Sequence, residues 1–309
     1  MDNRFQEMME VFETYIYGQQ HNIRLLVCAL LAGGHVLLEG APGTGKTKMV
    51  RTLAQLLAAS FQRVQFTPDL LPSDITGSTM FNVKEGVFQT IKGPVFTNIF
   101  LADEINRTPP RTQAALLEAM EEKQVTIFGE THRLAEPFFL AATQNPIDYE
   151  GTYPLPEAQK DRFLFHLHID YPDLDSEIEM LDRSVQGKLE ERLLKPMLDL
   201  EAVIAGQQEA AAVLIEPSLL EYIAKIIRAT RESELVRLGA SPRSAIALAK
   251  SSQAWALLSG RSYVTPDDIK TVLFPVLRHR LALAIHVELE GGTSDQVIQN
   301  VVASIPVPR

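Results

Sequence analysis

The stretch that most constrains this chain's fold runs from Val36 to Ala59. A short apolar run, Val36–Glu39, enters the loop Gly40-Ala41-Pro42-Gly43-Thr44-Gly45-Lys46-Thr47, and a segment with helical apolar spacing, Thr47–Ala59, leaves it. The glycines let the backbone curl so that its N–H groups face one point, and the helix adds the positive end of its dipole there. Four more short apolar runs read as buried strands: Arg63–Phe66, Asn98–Ala102, Phe138–Ala142 and Phe163–Ile169. Helical segments such as Pro110–Glu121 separate most of them. Strands alternating with helices predict an α/β fold, a doubly wound parallel five-stranded sheet covered on both faces.

This alternation stops near Tyr171, and Asp170–Asp175 (DYPDLD) reads as a linker. Beyond it, Ser176–Leu194, Leu200–Ala212, Pro217–Glu232, Pro242–Ser259 and Pro266–Arg280 all carry helical periodicity, with no strand pattern. Ser241-Pro242 and Thr265-Pro266 each place a capping residue before a proline at the first turn. The expected organisation is an α/β domain over 1–171 and a smaller all-α domain over 172–309. Two stretches interrupt the first domain. Thr67–Asn98 is rich in Gly, Pro and Asp and holds a candidate hairpin around Gly86–Ile91. Gln124–Leu134 is a second, with Gly129 and Glu130 at its turn. Insertions between core elements usually serve binding.

Charge and cysteine usage narrow the partners and the compartment. The 29 basic and 39 acidic residues give a net charge of −10, which argues against a general electrostatic grip on nucleic acid or anionic lipid. The single Cys28 cannot form an internal disulfide and suits a reducing cytosol. The N-terminus has no signal-peptide pattern, and no run reaches the ~18 apolar residues of a membrane helix. A cytoplasmic location is expected.

The loop Gly40–Thr47 fits G-x-x-x-x-G-K-[ST], a phosphate cradle. In that reading Lys46 reaches the β- and γ-phosphates of ATP or ADP, and the Thr47 hydroxyl ligates Mg²⁺. The run Asn98-Ile99-Phe100-Leu101-Ala102-Asp103-Glu104 ends a buried strand in two acids. Ligands bind at that edge in open α/β sheets. Asp103 would hold Mg²⁺ through water and Glu104 would act as general base on the attacking water. Asn145, after Ala142-Thr143-Gln144, reads either as an amide orienting water or simply as an Asn-Pro turn. Arg107, Arg111, Arg162 and Arg243 are candidate cations for transition-state charge, each with a surface ion pair as the alternative. His166 and His168 share a strand face and could bind metal or serve structure, with no acidic or thiol partner evident in the sequence.

With these motifs in order, the chain resembles the MoxR family of AAA+ ATPases, nearly end to end. The similarity runs from Tyr17-Gly18-Gln19-Gln20 to Ile305-Pro306-Val307-Pro308. It is carried by LLAGGHVLLEGAPGTGKT (30–47), FTPDLLPSDITGS (66–78), LADEINRTPPRTQAALLEAMEE (101–122), ATQNP (142–146), EGTYPLPEAQKDRF (150–163), GASPR (239–243) and YVTPDDIK (263–270). The resemblance implies that Asn145 is sensor 1, Arg243 sensor 2 and Arg162 the arginine finger acting on a neighbour's ATP. It places Tyr17 and Gly18 against adenine, the helical domain as a lid, and the stretch after Thr67 as the helix-2 insert. It also implies a homo-oligomeric ring, typically a hexamer, with Gln124–Leu134 as the hairpin before sensor 1 facing its pore. Chaperone-like action on protein clients follows from the same resemblance, often beside von Willebrand factor A (VWA) domain partners with a metal-dependent adhesion site. The loop reads GTGKT where many relatives have GLAKT, and Lys160 replaces a usual apolar residue.

The mechanism expected from these readings seats ATP between the α/β domain and the lid. Arg243 would act in cis or in trans, because the lid can be repositioned in this clade. A DNA-dependent motor shares the insert, but the acidic balance and the lack of a nucleic-acid module disfavour it. A nucleotide-gated scaffold with little turnover is disfavoured by the intact Asp103-Glu104 pair.

Overall fold

The computed structural model describes residues 4–145, 151–186 and 194–308. Five strands form one parallel sheet: β1 (Val36–Glu39), β2 (Phe61–Gln65), β3 (Ile99–Asp103), β4 (Phe139–Gln144) and β5 (Phe165–His168). Their spatial order is β2-β3-β4-β1-β5, all in parallel register, with Gln65 beside Asp103 and Leu38 beside Thr143. The expected strands are all present, with ends displaced by up to a few residues. One such displacement is in β2, which starts at Phe61 rather than Arg63. As an edge strand it is largely exposed, so burial did not sharpen its limits.

Period-2 alternation sorts the strand residues onto two apolar faces. Val36, Leu38, Ile99, Leu101, Phe139, Ala141, Phe165 and Leu167 face one core with helix Lys46–Leu56. Leu37, Phe100, Ala102, Leu140 and Ala142 face the other, under helix Pro110–Glu122. Burial on both sides is what the continuous apolar runs encode.

The first of these cores does not stop at the sheet. Helices Arg4–Glu13 and Gln20–Leu31 continue it into the second half of the chain. That half contains helices Leu174–Val185, Leu200–Ala211, Pro217–Glu232, Pro242–Leu258, Pro266–Leu277, Ile285–Leu289 and Ser294–Ala303. The contact is close. A Cβ on Gly206 would lie 2.6 Å from the Phe5 ring, and Arg24 sits 4.3 Å over the Trp255 ring. The expected helix 176–194 begins earlier, at Leu174, and its stretch 187–193 lies outside the described residues, as does Pro146 of the Asn-Pro turn. A ribbon pairs Val236–Leu238 with Ala282–Leu283 where no strand was expected. Runs of three and two residues are too short to show a period. Thr265 and Asp268 form a reciprocal capping box, whereas Ser241 makes no side-chain cap bond.

Both hairpins are present: Gly77–Asn82 with Val87–Lys92, and Gln124–Ile127 with Glu130–Arg133. The second turns at Phe128-Gly129, one residue earlier than expected. Both residues have positive φ (50° and 86°), as a tight two-residue hairpin turn requires. Among the described residues no helix is long and apolar enough to cross a membrane.

Arg280 ties the two halves together. Its guanidinium is nearly buried and every nitrogen is used. Nε donates to Asp161 Oδ1 at 2.9 Å, Nη1 to Val276 O at 2.7 Å, and Nη2 to Phe163 O at 2.7 Å. Burial pulls its pKa down to about 10, and Asp161 opposes that shift. Removing one partner of a buried pair leaves the other uncompensated. Arg280→Met is therefore expected to lower unfolding free energy by about 3 kcal/mol, read as a shifted urea midpoint. Arg280→Lys should restore only part, because an ammonium cannot span the same acceptors.

Candidate nucleotide-binding site

β1 ends at Glu39 and the chain turns at once into the loop. Gly40 has no alternative, since a Cβ there would lie 2.2 Å from the Ile169 carbonyl oxygen. Gly45 caps helix Lys46–Leu56 with φ 86°, a left-handed conformation that favours glycine. Lys46 folds back over the loop and donates to Gly40 O at 2.6 Å and Ala41 O at 2.7 Å. Partial burial lowers its pKa, while Asp103 and Glu104 act in the opposite direction.

Pro42, Gly43, Thr44, Gly45, Lys46 and Thr47 line a cleft of about 380 Å³ with Asp103, Glu104 and Asn145. The strand ends deliver the acids. Asp103 closes β3, and Glu104 follows with φ 57°. The Thr143 hydroxyl on β4 fixes both: it donates to Asp103 Oδ1 at 2.5 Å and accepts from the Glu104 N–H at 2.8 Å. Thr47 Oγ1 lies 3.3 Å from Asp103 Oδ2. From β2, Arg63 Nε donates to Asp103 Oδ2 at 2.9 Å, and Gln65 Nε2 donates to Glu104 Oε2 at 2.7 Å. Arg107 also reaches Glu104 Oε2, at 3.1 Å. Asn145 is buried at the same cleft.

Arg162 and Arg243 lie outside this cleft. Arg162 Nε contacts Glu121 Oε2 at 3.0 Å, and Arg243 Nη2 contacts Glu121 Oε1 at 2.9 Å. They line a separate cleft of about 270 Å³ with Gly34, His35 and Leu164. Those last residues precede β1 and β5, whereas Gly40 follows β1. The cleft therefore lies at the opposite ends of the strands, beyond the length of β1, about 13 Å for four residues. Among the described residues, none after Asn145 lines the phosphate cleft. Tyr17 and Gly18 meet the start of the second half. Arg183 sits 5.4 Å from the Tyr17 ring, and a Cβ on Gly18 would lie 3.1 Å from Pro172 Cβ.

His166 has the acidic partner its sequence context did not reveal. Its Nε2 lies 2.6 Å from Glu39 Oε2 on the adjacent strand, and this bond is the main reason the Glu39 pKa is lowered. Among the described residues no group of three or more His, Cys, Asp or Glu side chains is arranged to hold a metal.

The chain is similar to known proteins in sequence and in fold. Residues 35–165 match the model of the ATPase family associated with various cellular activities (AAA), and 228–301 match an AAA lid domain. Chaperone MoxR1 of Mycobacterium tuberculosis is 40% identical, over 95% of this chain and 80% of its own length. The chain belongs to the MoxR family of AAA+ ATPases. Protein MoxR of Paracoccus denitrificans is 31% identical over 99% of this chain and 96% of its own. A crystal structure from Cytophaga hutchinsonii, described as a candidate ATPase, superposes with a TM-score of 0.92 at 40% identity, covering 99% of this chain and 96% of that one. Nucleotide binding follows from the family.

Arg63, Gln65, Glu121 and Thr143 escaped the sequence reading. Strand-end spacing pointed to one acidic strand, whereas the residues that hold its acids come from its neighbours on either side. Thr143 makes the sharpest test. Thr143→Val removes a donor and an acceptor in one step and is expected to cost roughly 1–3 kcal/mol in unfolding free energy. Thr143→Ser should retain most of it, and denaturant melts of the two variants compare them directly.

Proposed function

We propose that this MoxR-family ATPase hydrolyses ATP at sites shared between subunits of a ring, a hexamer by family analogy, and uses the turnover to remodel or mature protein partners. The observation that carries the reading is the separation of charges. The phosphate cleft holds Lys46, Thr47, Asp103, Glu104 and Asn145, while Arg162 and Arg243 meet on Glu121 at the other end of the sheet. Neither arginine can span that distance to its own phosphates. In this reading both act on a neighbour's, which takes the trans alternative for Arg243 beside the trans finger Arg162.

Within the cleft, the loop N–H groups and Lys46 bind and orient the phosphates. Glu104 takes the proton of the attacking water, and Asn145 orients that water. A neighbour's Arg162 and Arg243 offset the charge that develops on the phosphate oxygens. The donor set suits Mg²⁺: Thr47 Oγ1 and Asp103 Oδ2 are hard oxygens 3.3 Å apart at the phosphate cleft. Thr47 would ligate the ion directly and Asp103 through water, and the ion supplies positive charge against the phosphate oxygens. Tyr17 and Gly18 take the adenine end, near the junction of the domains 1–171 and 172–309. A cytoplasmic location completes this reading.

The protein-facing surface is assigned to the two hairpins. Phe81, Phe88 and Phe128 are exposed yet gather together, Phe81 and Phe88 at 5.2 Å and Phe88 and Phe128 stacked at 6.0 Å. An exposed aromatic group of this kind fits polypeptide segments better than nucleic-acid phosphates. VWA-domain proteins are the partner class proposed from the family resemblance.

Glu104→Gln should bind ATP within about threefold of wild type but turn over at least about 100-fold more slowly. Normal turnover would remove the assigned base. Arg162→Ala and Arg243→Ala should each abolish turnover alone and regain part of it in rings mixed with Lys46→Ala subunits. Unrescued activity in rings verified as mixed by native mass spectrometry would count against action in trans. A Phe88→Ser, Phe128→Ser double variant should keep basal turnover and lose binding of a carboxymethylated, unfolded protein, measured by fluorescence anisotropy.

A further inference from the structure

We propose that Arg63 is a resident counter-cation of Asp103, one that a divalent ion must displace, and that it sets the metal dependence of nucleotide binding. This rests on the reading of the cleft as a metal–nucleotide site. Three observations carry it. The guanidinium grips the carboxylate oxygen that faces Thr47: Nε lies 2.9 Å and Nη2 2.7 Å from Asp103 Oδ2, and Thr47 Oγ1 lies 3.3 Å from the same atom. The contact is open to water, with the Arg63 side chain 43% exposed against 11% for Asp103. Finally, Arg63 has a second anchor, since Nη2 also donates to Gln65 Oε1 at 3.0 Å.

The chemistry follows from charge. Asp103 and Glu104 stand where phosphate oxygens arrive, and like charges repel. With Arg63 on Asp103 that repulsion is reduced, so nucleotide can enter without a metal. A part-exposed ion pair is weak in water, and a dication ligated together with Thr47 and phosphate can take its place. Arg63 therefore works in both directions, aiding metal-free nucleotide and competing with the metal's bound water for one oxygen. A purely structural arginine would do neither, because its loss would weaken all binding together.

The test uses the full chain, with Mn²⁺ binding followed by electron paramagnetic resonance and metal-free binding followed by the fluorescence of methylanthraniloyl-ADP. Arg63→Gln should tighten Mn²⁺ binding about tenfold and weaken metal-free nucleotide binding by about fivefold, opposite signs from one change in charge. Arg63→Lys keeps the charge without the two-pronged grip and should tighten Mn²⁺ about threefold. It carries the test if Arg63→Gln does not fold. Mn²⁺ binding that is unchanged or weaker in a folded variant overturns the proposal. A Lys46→Ala control separates the two levels. If that variant binds nucleotide as well as wild type does, the reading of the cleft itself has failed, whatever Arg63 does.

Discussion

A parallel sheet buried on both faces exposes only the ends of its strands, and it points every C-terminal end the same way. The remaining functional geometry depends on that constraint. Helices cover the two faces, so Leu37 and Leu38 go to opposite cores and neither face is left for a ligand. Gly40, Asp103, Glu104 and Asn145 gather because β1, β3 and β4 end side by side. Arg162, in the approach to β5, arrives at the opposite edge for the same reason. The separation of the phosphate cleft from the arginine cleft is thus a property of the sheet rather than of any loop.

The second half of the chain acts through this arrangement. Arg243 opens helix Pro242–Leu258, and Glu121 near the end of helix Pro110–Glu122 joins it to Arg162 through one carboxylate. Arg280 then fixes Asp161, the residue before Arg162, from the end of helix Pro266–Leu277. The arginine cleft is therefore assembled jointly by both halves. Any displacement of the helical half moves Arg243 and strains the hold on Arg162.

Much of this was legible from sequence. The glycine loop, the five apolar runs and the strand ending in Asp103-Glu104 defined the fold and the phosphate side of the site, because each is a local pattern. Motif spacing could not place Arg243, since its position depends on how the helical half packs, through contacts such as Gly206 on Phe5. The pairing of Glu39 with His166 was hidden for the same reason. Glu39 ends β1 and His166 lies in β5, and only the strand order makes them neighbours. The short ribbon of Val236–Leu238 with Ala282–Leu283 lies below the length at which alternation can be read at all.

The acids themselves pose the last physical question: how two adjacent carboxylates persist at one strand end before any nucleotide arrives. They are divided between two sets of partners. Arg63 and the Thr143 hydroxyl hold Asp103, while Gln65, Arg107 and the same Thr143 oxygen hold Glu104. Gln65 bridges the two sets, donating to Glu104 and accepting from Arg63 at 3.0 Å. A change of partner at Asp103 therefore reaches Glu104 through a single amide. In such a network Asp103 and Glu104 are energetically coupled. The residues on β2, outside every motif, couple them alongside the Thr143 hydroxyl on β4.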